Sequence, residues 1–425
     1  MKGHPAETWA EVSAVLVAAV VAGMAVTTSI DADWAAHRST PSRQWMLASV
    51  PGTAACAAMA AVLVAAICES MSVRTAWLMA GASTALLAGG QLFSRVIGPQ
   101  MYSLDFHNTV IAGTLLGVLP TLAGQLRLAR GALLVGALSG ILLASRFSVV
   151  GSAHEPPLTE WLLLDPPPIV LIALALGMVG WCAWTHPRVV ELPTREVPLR
   201  PIAAALTLVS SSLFRTDYLS RQDNWLLLIL VGITVTMLAT GAAALLLPGR
   251  DGVLLAVATA FAIATTALVV SAPLPGWTIA LMVTAGALGV IVGGWRPSLG
   301  VAVTAIVVLV LVATIIEIEH QAQSATIAVA VTAIGGYCIT VIIPQNPATL
   351  AIALIAFVAP SVVAAMVYRH CAGLAESRVW FHSPPRRLWA PEWVVVLVTA
   401  AATVIALALQ RVRGPRALDS GRPAR

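Results

Sequence analysis

The sequence predicts an all-α fold, a polytopic transmembrane bundle of about fourteen helices. Three observations carry that expectation. Of the 425 residues 59% are hydrophobic and only 10% are charged, where soluble domains carry roughly a quarter. The mean hydropathy is +0.89. Apolar runs of the roughly 20 residues that a bilayer crossing needs recur along the whole chain, with short polar breaks between them.

Taken in order, the runs place helices at about 11–30, 46–68, 75–96, 108–126, 130–148, 167–185, 200–216, 225–248, 252–271, 276–294, 298–316, 325–343, 347–368 and 392–410. The first is read as a retained span. Glu7 and Glu11 stand where a signal peptide has basic residues, and no small-residue cleavage site follows. The run Pro201–Phe214 is short and holds Ser210, Ser211 and Ser212, so it is the least apolar of the set. Arg127 to Arg130 reads as a tight turn, and Pro273, Pro275 and Gly276 make another. The long segment 369–391 mixes Trp380, Phe381 and Trp389 with Arg386 and Arg387, a composition suited to the headgroup level. The residues after Gln410 are basic and rich in Gly and Pro, predicting a disordered tail drawn to anionic lipid.

The net charge of +5 rests on 24 basic and 19 acidic residues. With fourteen helices and the N-terminus inside, fourteen basic residues fall on the cytoplasmic side and ten outside. Dropping the serine-bearing seventh helix leaves thirteen against eleven, so the positive-inside rule favours fourteen spans with both termini cytoplasmic in a plasma (inner) membrane. The basic excess is thereby absorbed by topology, and no nucleic-acid partner is expected. Cys56, Cys68, Cys182, Cys338 and Cys371 are scattered without metal or redox spacing and read as small apolar residues.

Inside the predicted helices no Asp, Glu, Lys or Arg sits at mid-bilayer depth. A charge there is expensive and marks function by default, so its absence argues against proton coupling through a buried carboxylate. Small residues are plentiful instead. Gly113 with Gly117 and Gly136 with Gly140 have the small-xxx-small spacing that lets helices approach closely, and Gly293–Gly294 and Gly335–Gly336 form adjacent pairs.

The stretch from Glu160 to Arg200 organises the rest. Trp161, Asp165 and Pro166–Pro168 precede an apolar run from Ile169 to Trp184, and a polar segment with Arg188, Glu191, Arg195, Glu196 and Arg200 follows. Earlier, Arg43-Gln44-Trp45 opens the second helix, and the turn Glu69 to Arg74 separates the second from the third. Together these features resemble the fourteen-helix drug–proton antiporter branch of the major facilitator superfamily. The resemblance covers the layout of the whole chain and is most specific in helices two to six. Its motifs are degenerate: Thr109 and Ala112 stand where that family has an arginine and a glutamine, and the fifth helix keeps Gly136 and Gly140 without a Gly-Pro pair.

The resemblance implies a division into a six-helix bundle over 1–186, a cytoplasmic linker with two inserted helices over 187–250, a second six-helix bundle over 251–410 and the tail 411–425. It implies export of a hydrophobic or lipid-like small molecule by alternating access, along a path between the two six-helix sets near the membrane midplane. Glu69 and Arg74 would form a cytoplasmic gate contact, and Asp31, at the outer end of the first helix, would be an acid available for coupling. The partners expected are the lipid bilayer, a hydrophobic small molecule and, in an alternative reading, the other subunits of an envelope complex that this chain scaffolds without transporting.

A second alternative is a polytopic lipid-linked glycosyltransferase. Asp31-Ala32-Asp33 with His37 and Arg38, or Glu317 and Glu319 with His320, could hold a divalent metal, although both sets also suit solvated helix ends. Arg215, Asp217, Arg221 and Asp223 alternate in sign and suit local ion pairs. No phosphate-binding Gly-rich loop, zinc spacing or nucleophile motif appears on a cytoplasmic segment, so no cofactor, no metal and no enzymatic activity are expected.

Overall fold

The apolar runs are helices because a backbone in hydrocarbon must satisfy its own N–H and C=O groups, which a helix does within one segment. The structure is a computed structural model of the chain. It describes residues 5–36, 50–97, 102–124, 126–147, 167–185, 199–220, 226–247, 250–267, 276–315, 321–341, 346–356 and 392–413. Among the described residues there are fourteen helices and no strand.

They are α1 (Pro5–Ala36), α2 (Val50–Cys68), α3 (Val73–Ile97), α4 (Tyr102–Ala123), α5 (Arg127–Phe147), α6 (Ile169–Thr185), α7 (Leu199–Ser220), α8 (Leu226–Leu246), α9 (Arg250–Ala267), α10 (Gly276–Trp295), α11 (Leu299–Ile315), α12 (Gln321–Val341), α13 (Pro347–Ala356) and α14 (Glu392–Arg413). Trp9–Thr27, Val73–Phe93, Phe106–Ala123 and Trp277–Trp295 are each long and apolar enough to cross a membrane by length and composition. The chain is therefore a multi-pass membrane protein with the all-helical architecture that its hydropathy predicts.

Two boundaries differ instructively. The first helix runs beyond its apolar core through Asp31 and Asp33 to Ala36. The serine-bearing seventh helix is intact over Leu199–Ser220. Its hydroxyls fold back onto their own backbone, Thr207 Oγ1 donating to the Ala203 carbonyl at 2.8 Å and Ser211 Oγ to that of Leu208 at 2.9 Å. The same device recurs at Thr27, Thr84, Thr114, Ser139 and Thr240, which bond the carbonyl four residues back.

The helices cluster into two compact units, Met1–Ile202 with Asn346–Ala351, and Ala203–Gln345 with Ile352–Arg425. In the first unit α1 packs on α4, α5 and α6, α2 on α4, and α3 on α4 and α6. In the second, α9 packs on α11, α12 and α14, α10 on α12, and α11 on α12 and α14. The pairings α1·α4, α1·α6, α2·α4, α3·α4 and α3·α6 thus recur with every helix number raised by eight. Among the described residues α1·α5 has no such counterpart, and the second unit adds α9 against α11 and α8 against α9 and α14. Its central helix is α9, buried on all sides from Asp251 to Ala258 and again from Ala260 to Thr265, which suits a helix that is apolar all round.

Glycines set the closest crossings. A Cβ added at Gly113 or Gly117 of α4 would strike the Ala57 or Ala61 carbonyl of α2. Across α1·α5, Gly23 meets the Ala137 carbonyl, while Gly136 and Gly140 meet those of Leu16 and Val20. Across α10·α12, Gly289 meets the Ala333 carbonyl and Gly336 that of Gly286. Lipid supplies no hydrophobic drive between helices, so such backbone approach, with its dispersion contacts, is a main source of association. Of the adjacent pairs, Gly293 lies against Thr340 and Tyr337 and Gly335 under the Phe261 ring, whereas Gly294 has nothing within 4 Å.

Candidate gate at the turn between α2 and α3

The turn is local in origin. Past Cys68 the chain leaves α2 through Glu69 and Ser70, whose amides still reach the Ala65 and Ile67 carbonyls at 3.2 and 3.1 Å. Ser72 then caps α3: its Oγ accepts the Thr75 amide at 3.2 Å and meets the Thr75 hydroxyl at 2.7 Å. These bonds fix Glu69 just before the turn and Arg74 in the first turn of α3, both half-buried.

Asn346 faces Glu69 within the first unit. Its Nδ2 donates to Glu69 Oε2 at 3.3 Å, and its Oδ1 accepts the Ala348 amide at 2.8 Å, which makes it the N-cap of α13. Pro347 follows at the first helical position, where a missing N–H costs nothing. One amide side chain therefore starts a helix and holds a carboxylate. Arg74 has its Nε buried without a hydrogen-bond partner.

Two hydroxyls of the same unit are buried without a hydrogen-bond partner, Thr121 Oγ1 near the end of α4 and Thr349 Oγ1 in the first turn of α13. A Cβ at Gly124, just past α4, would lie 4.0 Å from Pro347. Below this point Arg130 of α5 donates from Nη2 to the Gly124 carbonyl and satisfies the end of α4. The tight turn expected at Arg127–Arg130 is instead the start of α5, whose Arg130 reaches back to the end of α4.

The remaining expected residues divide as follows. Asp31 and Asp33 belong to the last turns of α1, but their side chains lie outside the described residues, as do Arg215 and Asp217 of α7. His37, Arg38, Trp45, Trp161, Asp165, Arg221, Asp223 and the Glu317–His320 set lie outside them altogether, and so do most of the linker after His186 and the segment 369–391. Among the described residues no three His, Cys, Asp or Glu side chains gather as a metal site would require.

Two residues escaped the sequence reading. Asn346 carried a legible signal, since Asn-Pro at the head of an apolar run is a helix start. Asp251, 4% exposed in the first turn of α9, lay one residue outside the predicted span. An acid there is favoured by the helix dipole.

No protein-family model matches the chain, and no curated protein matches it. Solved structures align with it over nearly its full length. An auto-inhibited POT-family peptide transporter is 13% identical with a TM-score of 0.42, over 97% of this chain and 99% of that one. FucP, a major facilitator superfamily transporter in the outward conformation, is 14% identical at 0.44, over 94% and 98%. The proton:xylose symporter XylE, bound to 6-bromo-6-deoxy-D-glucose, is 10% identical at 0.44, over 95% and 96%.

Proposed function

We propose that the chain is a transporter of major-facilitator type that exports a hydrophobic or lipid-like small molecule by alternating access. The observation that carries the reading is the recurrence of the α1·α4, α1·α6, α2·α4, α3·α4 and α3·α6 pairings among α9–α12 and α14. Internal repetition of this kind is how secondary transporters present one site to two sides in turn. On this reading 1–186 and 251–410 are the two six-helix bundles, 187–250 contributes the linker and two inserted helices, and both termini are cytoplasmic in the plasma membrane. Glu69, with Asn346 as its observed partner, and Arg74 act at a gate that opens when α13 leaves the α2–α3 turn. Arg74, with its buried unpartnered Nε, and Thr349 would gain partners in another conformation. Asp31 supplies an acid at the far end of α1.

The test is flux of a fluorescent hydrophobic cation into or out of proteoliposomes under an imposed proton gradient. Gradient-dependent movement that Glu69→Gln and Arg74→Gln both slow supports the reading. Absence of movement by folded protein that co-purifies with a fixed partner sinks it and leaves the scaffolding subunit. That second reading is favoured by the hydroxyls of Thr27, Thr84, Ser139 and Thr240, which are spent on their own backbones rather than aimed at a solute. The glycosyltransferase reading fails if Asp31→Ala and Asp33→Ala leave every envelope glycan unchanged.

A further inference from the structure

Along one side of the second unit, between α11 and α12, runs a groove of about 590 Å³. It is lined by Ser298, Gly300, Val301, Thr304, Ala305 and Val308 of the α11 side and Ile334 of α12. The α11 residues repeat at helical spacing, so the groove follows the helix axis. From Ser298 to Val308 is ten residues, or about 15 Å at 1.5 Å per residue. That is about half of the roughly 30 Å hydrocarbon core, the depth of one leaflet. Val301 and Val308 are 54% and 50% exposed, so the groove opens sideways to whatever surrounds the protein.

Its walls are apolar in effect. The Thr304 hydroxyl is spent on the Gly300 carbonyl at 2.8 Å, and Ser298 Oγ accepts the Val301 amide at 3.4 Å. Nothing inside the groove asks for a polar guest. The shallow end is different. Trp295 is 80% exposed beside an exposed Arg296, the pairing of aromatic and cation that marks a headgroup level. Tyr337 of α12 locks this turn: its hydroxyl donates to the Arg296 carbonyl at 3.0 Å and accepts the Ser298 amide at 3.3 Å. With each helix crossing once, the start of α9 and the end of α14 lie at the same level, and there Arg250 and Arg411 are also exposed while Asp251 is buried.

We propose that this groove is a site for an anionic phospholipid, one acyl chain lying along α11 and the phosphate held by Arg296. Arg296, two residues before the groove-lining Ser298, is basic and exposed, its guanidinium fork matches a phosphate, and the trough behind it is apolar over one leaflet. A neutral lipid satisfies only the trough, and a soluble anion only the mouth. The inference rests on the chain being embedded in a bilayer and is independent of transport, so the failure of either leaves the other standing.

Native mass spectrometry of the full chain tests it, using micelles doped with equal dioleoylphosphatidylglycerol and dioleoylphosphatidylcholine. The wild type should retain one phosphatidylglycerol over phosphatidylcholine by about tenfold, the order of one charge-assisted anchor. Arg296→Gln should abolish that preference while both lipids still bind weakly. Gly300→Phe should lower retention of both, because a Cβ at Gly300 meets only Ser298 Oγ, at 3.9 Å, and the ring has open space to fill. Equal retention of the two lipids by the wild type overturns the proposal. So does a preference untouched by Arg296→Gln, whose exposed side chain can be changed without disturbing the fold. Displacement of the lipid by inorganic phosphate at equal concentration would mean an anion site without a groove. A two-chain species that excludes lipid would mean that a second copy covers the face, and either outcome also overturns it.

Discussion

The α2·α4 crossing of the first unit and the α10·α12 crossing of the second are made by corresponding helices with differently placed glycines. In α2·α4 the glycines are on one helix: Gly113 and Gly117 of α4 slot over Ala57 and Ala61 of α2. In α10·α12 both helices contribute, Gly289 fitting over Ala333 and Gly336 over Gly286. What recurs between the two units is the backbone approach, and the residues that permit it have moved. Any small side chain on either helix allows close contact, so sequence repetition can fade while the contact persists.

The largest expected effect lies at the third glycine crossing. Gly140→Leu drives a side chain into the Val20 carbonyl and the Met24 amide, fixed backbone that cannot step aside. It should cost more than the roughly 1–3 kcal/mol of ordinary overpacking and largely remove monodisperse protein in size-exclusion chromatography. In the second unit Gly335→Ala meets the end of the Phe261 ring instead. Cζ lies on the axis about which the ring turns, so the ring must tilt at χ1; the loss should be about 1–2 kcal/mol, and Phe261→Leu in the same chain should recover most of it in a melting experiment.

Asn346→Ala removes an N-cap and a bond to Glu69 together and should cost about 1–2 kcal/mol. Asn346→Asp keeps a capping oxygen but sets a second carboxylate against Glu69. Like charges raise the pKa of one another, so the penalty should be full at neutral pH and shrink as pH falls and the pair takes up a proton. Melting curves that shift in parallel at pH 5 and pH 8 would contradict a direct Glu69 contact. The smallest effect belongs to Gly241 of α8, where a Cβ meets nothing within 4 Å. Gly241→Ala should be neutral or stabilise by up to about 1 kcal/mol through helix propensity alone.

Much of the fold was legible because bilayer-length apolar runs have one structural solution. The sixth helix starts at Ile169, where the run after the proline triplet predicts it. Ser210–Ser212 misled only in part, since composition cannot show that a hydroxyl will bond its own helix. Glycine spacing pointed to Gly113, Gly117, Gly136 and Gly140 as packing positions, and they are. It missed Gly23 and Gly286, which have no glycine four residues away, and Gly289, which stands four residues before Gly293 and could have been read. At the candidate gate the sequence supplied Glu69 and Arg74 but not Asn346, because a contact 277 residues away in sequence is a property of the packing.

The central claim is that the two units are built on the same close crossing. The most direct measurement is the thermal unfolding of four leucine variants in one detergent. Gly117→Leu and Gly336→Leu probe the two crossings, while Gly177→Leu and Gly241→Leu probe glycines with open space around them. The account predicts a large and comparable loss of stability for the first two and little change for the second two. If either crossing glycine accepts leucine as readily as Gly241 does, the shared crossing is contradicted.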